Sequence, residues 1–206
     1  MITTAAALAH LFDLVSPLPI EMVPLRHAAG RTLAQDLHAS RHQPPFSASD
    51  RVIMQEDVSR HGDHITLHTD IDPARYVRPA GADFKTGDTL SAPRLISPCD
   101  VALFAAMNIA MVPVTRKPVV AIIATGDELV QPGEVPRADQ IIASNSYGLA
   151  ALIDASGGRA RLLPIARDTV PALELAFDLA ASADLIITIG GASVGDHDLV
   201  GQVALA

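Results

Sequence analysis

Val119-Val120-Ala121-Ile122-Ile123-Ala124-Thr125-Gly126-Asp127-Glu128-Leu129 and Ile186-Ile187-Thr188-Ile189-Gly190-Gly191-Ala192-Ser193-Val194-Gly195-Asp196-His197-Asp198 share one design. A short apolar run ends in a glycine turn and then in carboxylates. An apolar run without polar alternation reads as a strand buried on both faces, the kind found in parallel sheets covered by helices. Open α/β sheets bind ligands where such strands end, and bare N–H groups in glycine turns or at helix N-termini attract phosphates.

The pattern around these two runs alternates. Strands are expected at 118–124, 160–166 and 184–189, and helices at 144–156, 170–181 and 197–205. Strand–helix alternation predicts an α/β domain at 116–206, a three-layer structure whose mainly parallel sheet is covered on both faces by right-handed crossovers. Thr115-Arg116-Lys117-Pro118 marks the boundary. Residues 1–115 read as a smaller mixed α+β segment. Thr3 or Thr4 caps a helix carrying Ala7, Leu8, Leu11, Phe12 and Val15, which Ser16-Pro17 ends. Strands at 52–58 and 65–69 form a hairpin around 59–63, 76–90 reads as loop, and 98–110 as helix.

Composition narrows the function. The 206 residues suffice for one large or two small domains, and 49% hydrophobic content with few aromatics suits an aliphatic α/β core. A net charge of −8 without a basic stripe argues against nucleic acid as partner. Cys99 is the lone cysteine, so no internal disulfide forms. The N-terminus lacks the basic and apolar regions of a signal peptide, and no apolar run approaches the roughly 20 residues that span a bilayer. A cytoplasmic protein with no membrane partner is the expectation.

Chemistry concentrates in the strand-end loops. Gly190 and Gly191 permit close backbone approach, Ser193 supplies a hydroxyl, and Gly195 allows a second turn. No Lys follows, so this is not a Walker A loop, and the dinucleotide G-x-G-x-x-G is absent. A phosphate cradle and a plain glycine turn both remain open. Asp198 in the first turn of the next helix either favours the helix dipole, by about 0.3–1 kcal/mol, or holds a metal beside a phosphate. Asp127 and Glu128 are capping carboxylates or site residues. Asp168 is an N-cap for helix 170–181 or a third site acid.

Glu128, Asp168 and Asp198 all follow parallel strands and should therefore face one sheet edge, which favours a site. Like charges 4 Å apart repel by about 4 kcal/mol at an effective dielectric of 20. A phosphate there needs an intervening cation, and Mg²⁺, held by one or two carboxylates plus phosphates, suits best. The eight histidines form no H-E-x-x-H pair, His64 and His68 read as a solvated strand face, and no Ser/His/Asp triad assembles. Arg78-Pro79-Ala80-Gly81-Ala82-Asp83 by itself reads as a structural turn.

The ordered set Pro44-Pro45-Phe46-Ser47, Val52-Ile53-Met54-Gln55-Glu56-Asp57, Val77-Arg78-Pro79-Ala80-Gly81, Thr125-Gly126-Asp127-Glu128-Leu129, Ser144-Asn145-Ser146 and Gly190 to Asp196 resembles the molybdopterin molybdenumtransferase family, MoeA-type proteins that include the gephyrin E domain. The resemblance implies a molybdopterin-binding α/β domain and a reaction. Molybdate is inserted into adenylylated molybdopterin with Mg²⁺, AMP is released, and the enzyme works as a homodimer. By motif position, Asp83, Glu128, Asp168 and Asp198 match acidic active-site residues. Thr125, Gly126, Asp127, Ser144, Asn145, Gly190, Gly191, Ser193 and Gly195 match cofactor-binding positions, and Glu128 and Asp198 would hold the metal. A non-catalytic carrier or sensor of molybdopterin, and a molybdopterin adenylyltransferase, are the alternatives.

The chain also departs from the family pattern. Ser49-Asp50-Arg51 joins motifs between which the family carries a whole inserted domain, and Ala206 ends the chain before a Lys/Pro/Gly segment and a C-terminal β domain. Ala143 replaces the usual Asp before S-N, Ile189 the usual Ser before G-G, and Tyr76 and Ala82 the usual Asn and Glu.

Overall fold

The computed structural model describes residues 2–47, 52–69, 76–190 and 199–205. Two compact units emerge, one of Ile20–Thr115 and one of Met1–Pro19 with Arg116–Ala206. The junction at 49–51 lies outside the described residues. No helix among the described residues is long and apolar enough to cross a membrane.

Helix α1, Thr4–Asp13, starts where expected, with the Thr3 hydroxyl accepting from the Ala6 amide. The unit Ile20–Thr115 then contains β1 Ile20–Pro24, β2 Thr32–Leu33, β3 Leu37–His38, β4 Val58–His61, β5 His64–Leu67, β6 Thr89–Leu90, β7 Arg94–Leu95, α2 Pro98–Ala106 and β8 Met111–Thr115. Four of these strands form an antiparallel sheet in the order β1-β8-β2-β7. Alternation drives one face inward, where Val23, Leu33, Val112 and Val114 meet Ile96 and Phe104. Helix α2 begins with a capping box: Ser97 Oγ accepts from the Asp100 amide, and Asp100 accepts from the Ser97 amide at 2.8 Å. Hydrogen bonds from the Ser97 amide and then the Ser97 hydroxyl, with Arg94 alongside, hold the Asp100 carboxyl below its usual range.

Three expectations need correction in this unit. The hairpin is shifted, with β4 and β5 joined at Gly62-Asp63 rather than across 59–63. Gly62 adopts φ +62°, which gives a two-residue turn, while Gln55–Asp57 coil into a 3-10 turn instead of extending. The loop 76–90 contributes β6, which pairs with β3. Helix α2 stops at Ala106 rather than 110, because Met107 caps it and Asn108 turns left-handed at φ +65°.

In the other unit, β9 Val119–Ala124, β10 Leu129–Val130, β11 Ile141–Ile142, α3 Ser144–Ala155, β12 Arg159–Leu162, α4 Val170–Ala180, β13 Leu185–Ile189 and α5 Leu199–Ala204 follow in order. The strand order β12-β9-β13 is parallel throughout, with β9 central, and β10 pairs with β11 in parallel. One face of β9, Ala121 and Ile123, packs with Leu173, Ala176 and Ala180 of α4 and Val200 of α5. On α4 the buried positions recur at helical spacing. Helix α3 packs on β12 and β9. The result is three layers, as the alternating sequence predicts.

The third strand ends early. It was expected over 160–166, but the ladder stops at Leu162 and resumes only as a single bridge between Ala166 and Thr125. Leu163 still donates to Ile122 O at 3.0 Å, but the next donor to β9 is Ala166, to Ala124 O at 2.8 Å, where an unbroken parallel ladder would use residue 165, so one extra residue is accommodated at 164–165. At the opposite end of the sheet, Arg116 forks onto Asp184 with N···O distances of 2.9 and 2.6 Å, and the Val119 amide donates to the same carboxylate at 2.8 Å. Hydrogen bonds from Arg116 and then Val119 bring the Asp184 pKa down to about 2.

Candidate functional site

The chain between β9 and β10 is pinned to both neighbouring strands. The Thr125 amide donates to Ile189 O at 2.9 Å, and the Gly126 amide donates to Ala166 O at 3.1 Å. Three strand ends, at 125–128, 166–168 and 189–190, therefore meet at one edge of the sheet. This follows from parallel pairing: strands that run the same way end on the same side.

Two glycines make the approach possible. A Cβ on Gly190, whose φ is +96°, would lie 2.5 Å from Thr125 O and 3.0 Å from Thr125 Oγ1. A Cβ on Gly126, at φ +149°, would lie 2.6 Å from Glu128 Oε2. The Glu128 carboxylate is thus folded over the bare Gly126 Cα. Thr125 is buried, and its hydroxyl has no hydrogen-bond partner among the described residues.

The carboxylates differ in what surrounds them. Asp127 meets Arg167, Oδ1 to Nη1 at 3.4 Å, in a solvent-exposed pair worth little. Glu128 and Asp168 are exposed, and neither carboxylate makes a hydrogen bond among the described residues. Asp168 was a candidate N-cap for α4, but Thr169 occupies that position. The Asp168 side chain is therefore left over from the helix. Gly191, Ser193, Gly195 and Asp198 lie outside the described residues.

Ser144 and Asn145 open α3 without a side-chain cap, because Ala143 stands at the N-cap. They line a small cavity of about 130 Å³ together with Ala124 and Ile189. Ser144 and Asn145 thereby come beside the ends of β9 and β13. A second cavity of about 270 Å³ adjoins it, bounded by Ala124, Ala143 and Ser146, by Gln131 and Tyr147, and by residues 162–165 where β12 departs from the ladder. Gln131 and Tyr147 carry no sequence signal for this role. They lie apart in sequence and meet only because β10 and β11 pair.

Asp83 belongs to the other unit. There its carboxylate pairs with Arg78, and its amide donates to Gln43 O at 2.8 Å. The Gly81 amide donates to Pro44 O at 2.9 Å, and Ser47 Oγ accepts from the Ala80 amide at 3.4 Å. The P-P-F-S and R-P-A-G segments are thus hydrogen-bonded to each other, with the turn at 80–81 held against Pro44 and Ser47.

Among the described residues, no group of three or more His, Cys, Asp or Glu side chains could enclose a metal. Glu128 offers a strand-end carboxylate with no hydrogen bond among the described residues, and an ion that keeps waters and takes one or two carboxylates plus phosphate oxygens needs no fuller enclosure.

Comparison with known proteins places this geometry. Residues 121–206 match a family model described as a probable molybdopterin binding domain. A molybdopterin molybdenumtransferase from Nostoc sp. is 37% identical over 159 residues, 76% of this chain and 36% of that protein. A molybdopterin molybdenumtransferase 2 from Mycobacterium tuberculosis is 34% identical over 140 residues, 67% of this chain and 35% of its own. The chain's matched stretch thus spans only about a third of those relatives. In fold, the crystal structure of a molybdopterin biosynthesis moea protein from Pyrococcus horikosii superposes with a TM-score of 0.78 at 23% identity, over 98% of this chain and 66% of that one.

Proposed function

We propose that the chain is a molybdopterin molybdenumtransferase, like the relatives it resembles over their matched third, and that it acts in molybdenum cofactor biosynthesis, inserting molybdate into adenylylated molybdopterin with release of AMP. One observation supports the reading: the strand ends 125–128, 166–168 and 189–190 converge on one edge, where the Glu128 and Asp168 carboxylates make no hydrogen bond among the described residues and Gly126 and Gly190 leave the backbone uncovered by a Cβ.

In this reading the pterin diphosphate lies across that edge. Gly190 and Gly191 let the phosphates approach the backbone, and Ser193 gives a hydroxyl. Thr125, Gly126 and Asp127 form the floor beneath the diphosphate, and Ser144 and Asn145 reach it from the start of α3. Mg²⁺ held by Glu128 and Asp198 would neutralise the phosphates and polarise the phosphoanhydride. Asp168 orients the incoming molybdate and water, and Asp83, in the other unit, is a candidate acid by its motif position. The catalysis is electrostatic and orienting, with no covalent enzyme intermediate. We further place the protein in the cytoplasm as a homodimer.

AMP release tests this directly. Incubation with adenylylated molybdopterin, molybdate and Mg²⁺ should yield AMP and molybdenum cofactor, and Asp168→Asn should lower the rate by at least tenfold. Binding without AMP release would instead identify a carrier or sensor. Production of adenylylated molybdopterin from molybdopterin and ATP would identify an adenylyltransferase.

A further inference from the structure

The β4–β5 hairpin sorts its side chains by chemistry. Its register sets Ser59 opposite Thr66 and His61 opposite His64. Directly opposed residues share a face, as do alternate residues along a strand. One face therefore carries Ser59, His61, His64 and Thr66, and the other carries Val58, Arg60, Ile65 and Leu67. Arg60 stays on that other face, where its Nε donates to Gly62 O at 2.8 Å. Gly62 turns at φ +62° and closes the strands on a two-residue loop, so His61 and His64 become the pair that flanks the turn. Both are exposed, and neither ring makes a hydrogen bond among the described residues. By contrast, His27, His38, His42 and His68 each have a ring nitrogen engaged, by Arg26, Thr89, the Thr86 amide and Ser59 respectively.

We propose that His61 and His64 form a two-imidazole chelate for a late first-row divalent cation such as Zn²⁺. The hairpin belongs to the unit Ile20–Thr115, whereas the strand-end carboxylates belong to the other unit, so this site stands apart from the reaction proposed above. Directly opposed strand residues hold their Cβ atoms about 4.5–5.5 Å apart. Zn–N bonds of about 2.0–2.1 Å bring two ligating nitrogens to roughly 3.5 Å from each other. Rotation about χ1 and χ2 of the two rings spans that difference with the backbone in place. Because the turn already fixes both Cα positions, chelation orders little more than the two side chains. Imidazole nitrogen suits Zn²⁺, Ni²⁺ and Cu²⁺, whereas Mg²⁺ takes oxygen ligands. No group of three or more His, Cys, Asp or Glu among the described residues could enclose an ion, so water completes the coordination of a cation held at the surface by this pair. The i, i+3 spacing of these histidines brings them together only across a two-residue turn, and it is the register that discloses the pair.

Calorimetric titration of Zn²⁺ into the full chain, with excess Mg²⁺ present to occupy oxygen sites, tests the chelate. The wild type should bind Zn²⁺ at a site for which Mg²⁺ does not compete. His61→Ala and His64→Ala should each weaken that site about tenfold, and the double variant should lose little more, because one imidazole alone no longer chelates. His68→Ala, whose ring is engaged with Ser59, should remain within about twofold of wild type. All three side chains are exposed, so the variants should keep the wild-type melting temperature. In histidine-ring NMR spectra of the wild type, the His61 and His64 resonances should move first as Zn²⁺ is added. Wild-type Zn²⁺ affinity in folded His61→Ala and His64→Ala overturns the chelate. A loss in only one of the two, or an equal loss in His68→Ala, overturns it as well. The readout is ion binding alone, so it stands or falls separately from AMP release.

Discussion

Single residues set the site by what they lack. Gly190 has no Cβ to strike Thr125 O, and Gly126 leaves space for the Glu128 carboxylate. Gly190→Ala meets backbone, which cannot rotate away, at a φ disfavoured for L residues, and should cost about 1–3 kcal/mol in urea unfolding. Gly126→Ala meets the end of a flexible side chain. It should cost less stability beyond the strain of its φ, and should act mainly by displacing Glu128, seen as weaker Mg²⁺-dependent substrate binding. Asp184 works at the other end of the sheet. Its folded pKa, about 2, lies below the ordinary carboxylate value of roughly 3.9. The ion pair therefore stabilises the fold at pH values above the unfolded pKa, and that contribution is lost as pH falls through about 2. Asp184→Asn should lower the neutral-pH urea midpoint and flatten its decline between about pH 4 and pH 2; an unchanged acid slope would show that the fork with Arg116 is not coupled to folding.

Elements record how much the sequence discloses. The parallel strands β9 and β13 are legible because their apolar runs have no alternation, and α1 because Thr3 precedes a periodic stripe. The convergence of residues 125–128, 166–168 and 189–190 follows from strand direction alone. Less legible is the hairpin register, which depends on Gly62 adopting positive φ while Gln55–Asp57 coils. The extra residue at 164–165 beside β9 carries no sequence signal, and the cavity it borders depends on where α3 packs. The Gln131–Tyr147 hydrogen bond is a long-range product of β10–β11 pairing. Helix α2 gives the sharpest elemental test. Ser97→Ala removes half of a capping box and leaves Asp100 with fewer hydrogen bonds, so it should cost about 1 kcal/mol in chemical denaturation, while Ser97→Thr should restore most of it.

At the scale of the molecule, one unit carries the glycine turns and most of the candidate acids, and the other carries Asp83 beside Arg78. The homodimer proposed for the chain predicts light scattering at twice the 21.6 kDa chain mass, and a monomer at micromolar concentration would contradict it. The metal-bridged edge between carboxylates and phosphates is the claim on which the rest depends. Calorimetric titration of adenylylated molybdopterin into wild type and Glu128→Ala, each with Mg²⁺ and with EDTA, tests it most directly. Wild-type affinity should fall at least tenfold when Mg²⁺ is removed, and Glu128→Ala should bind weakly with or without the ion. Equal affinity in all four titrations would contradict a site in which this strand-end carboxylate holds a cation against the diphosphate.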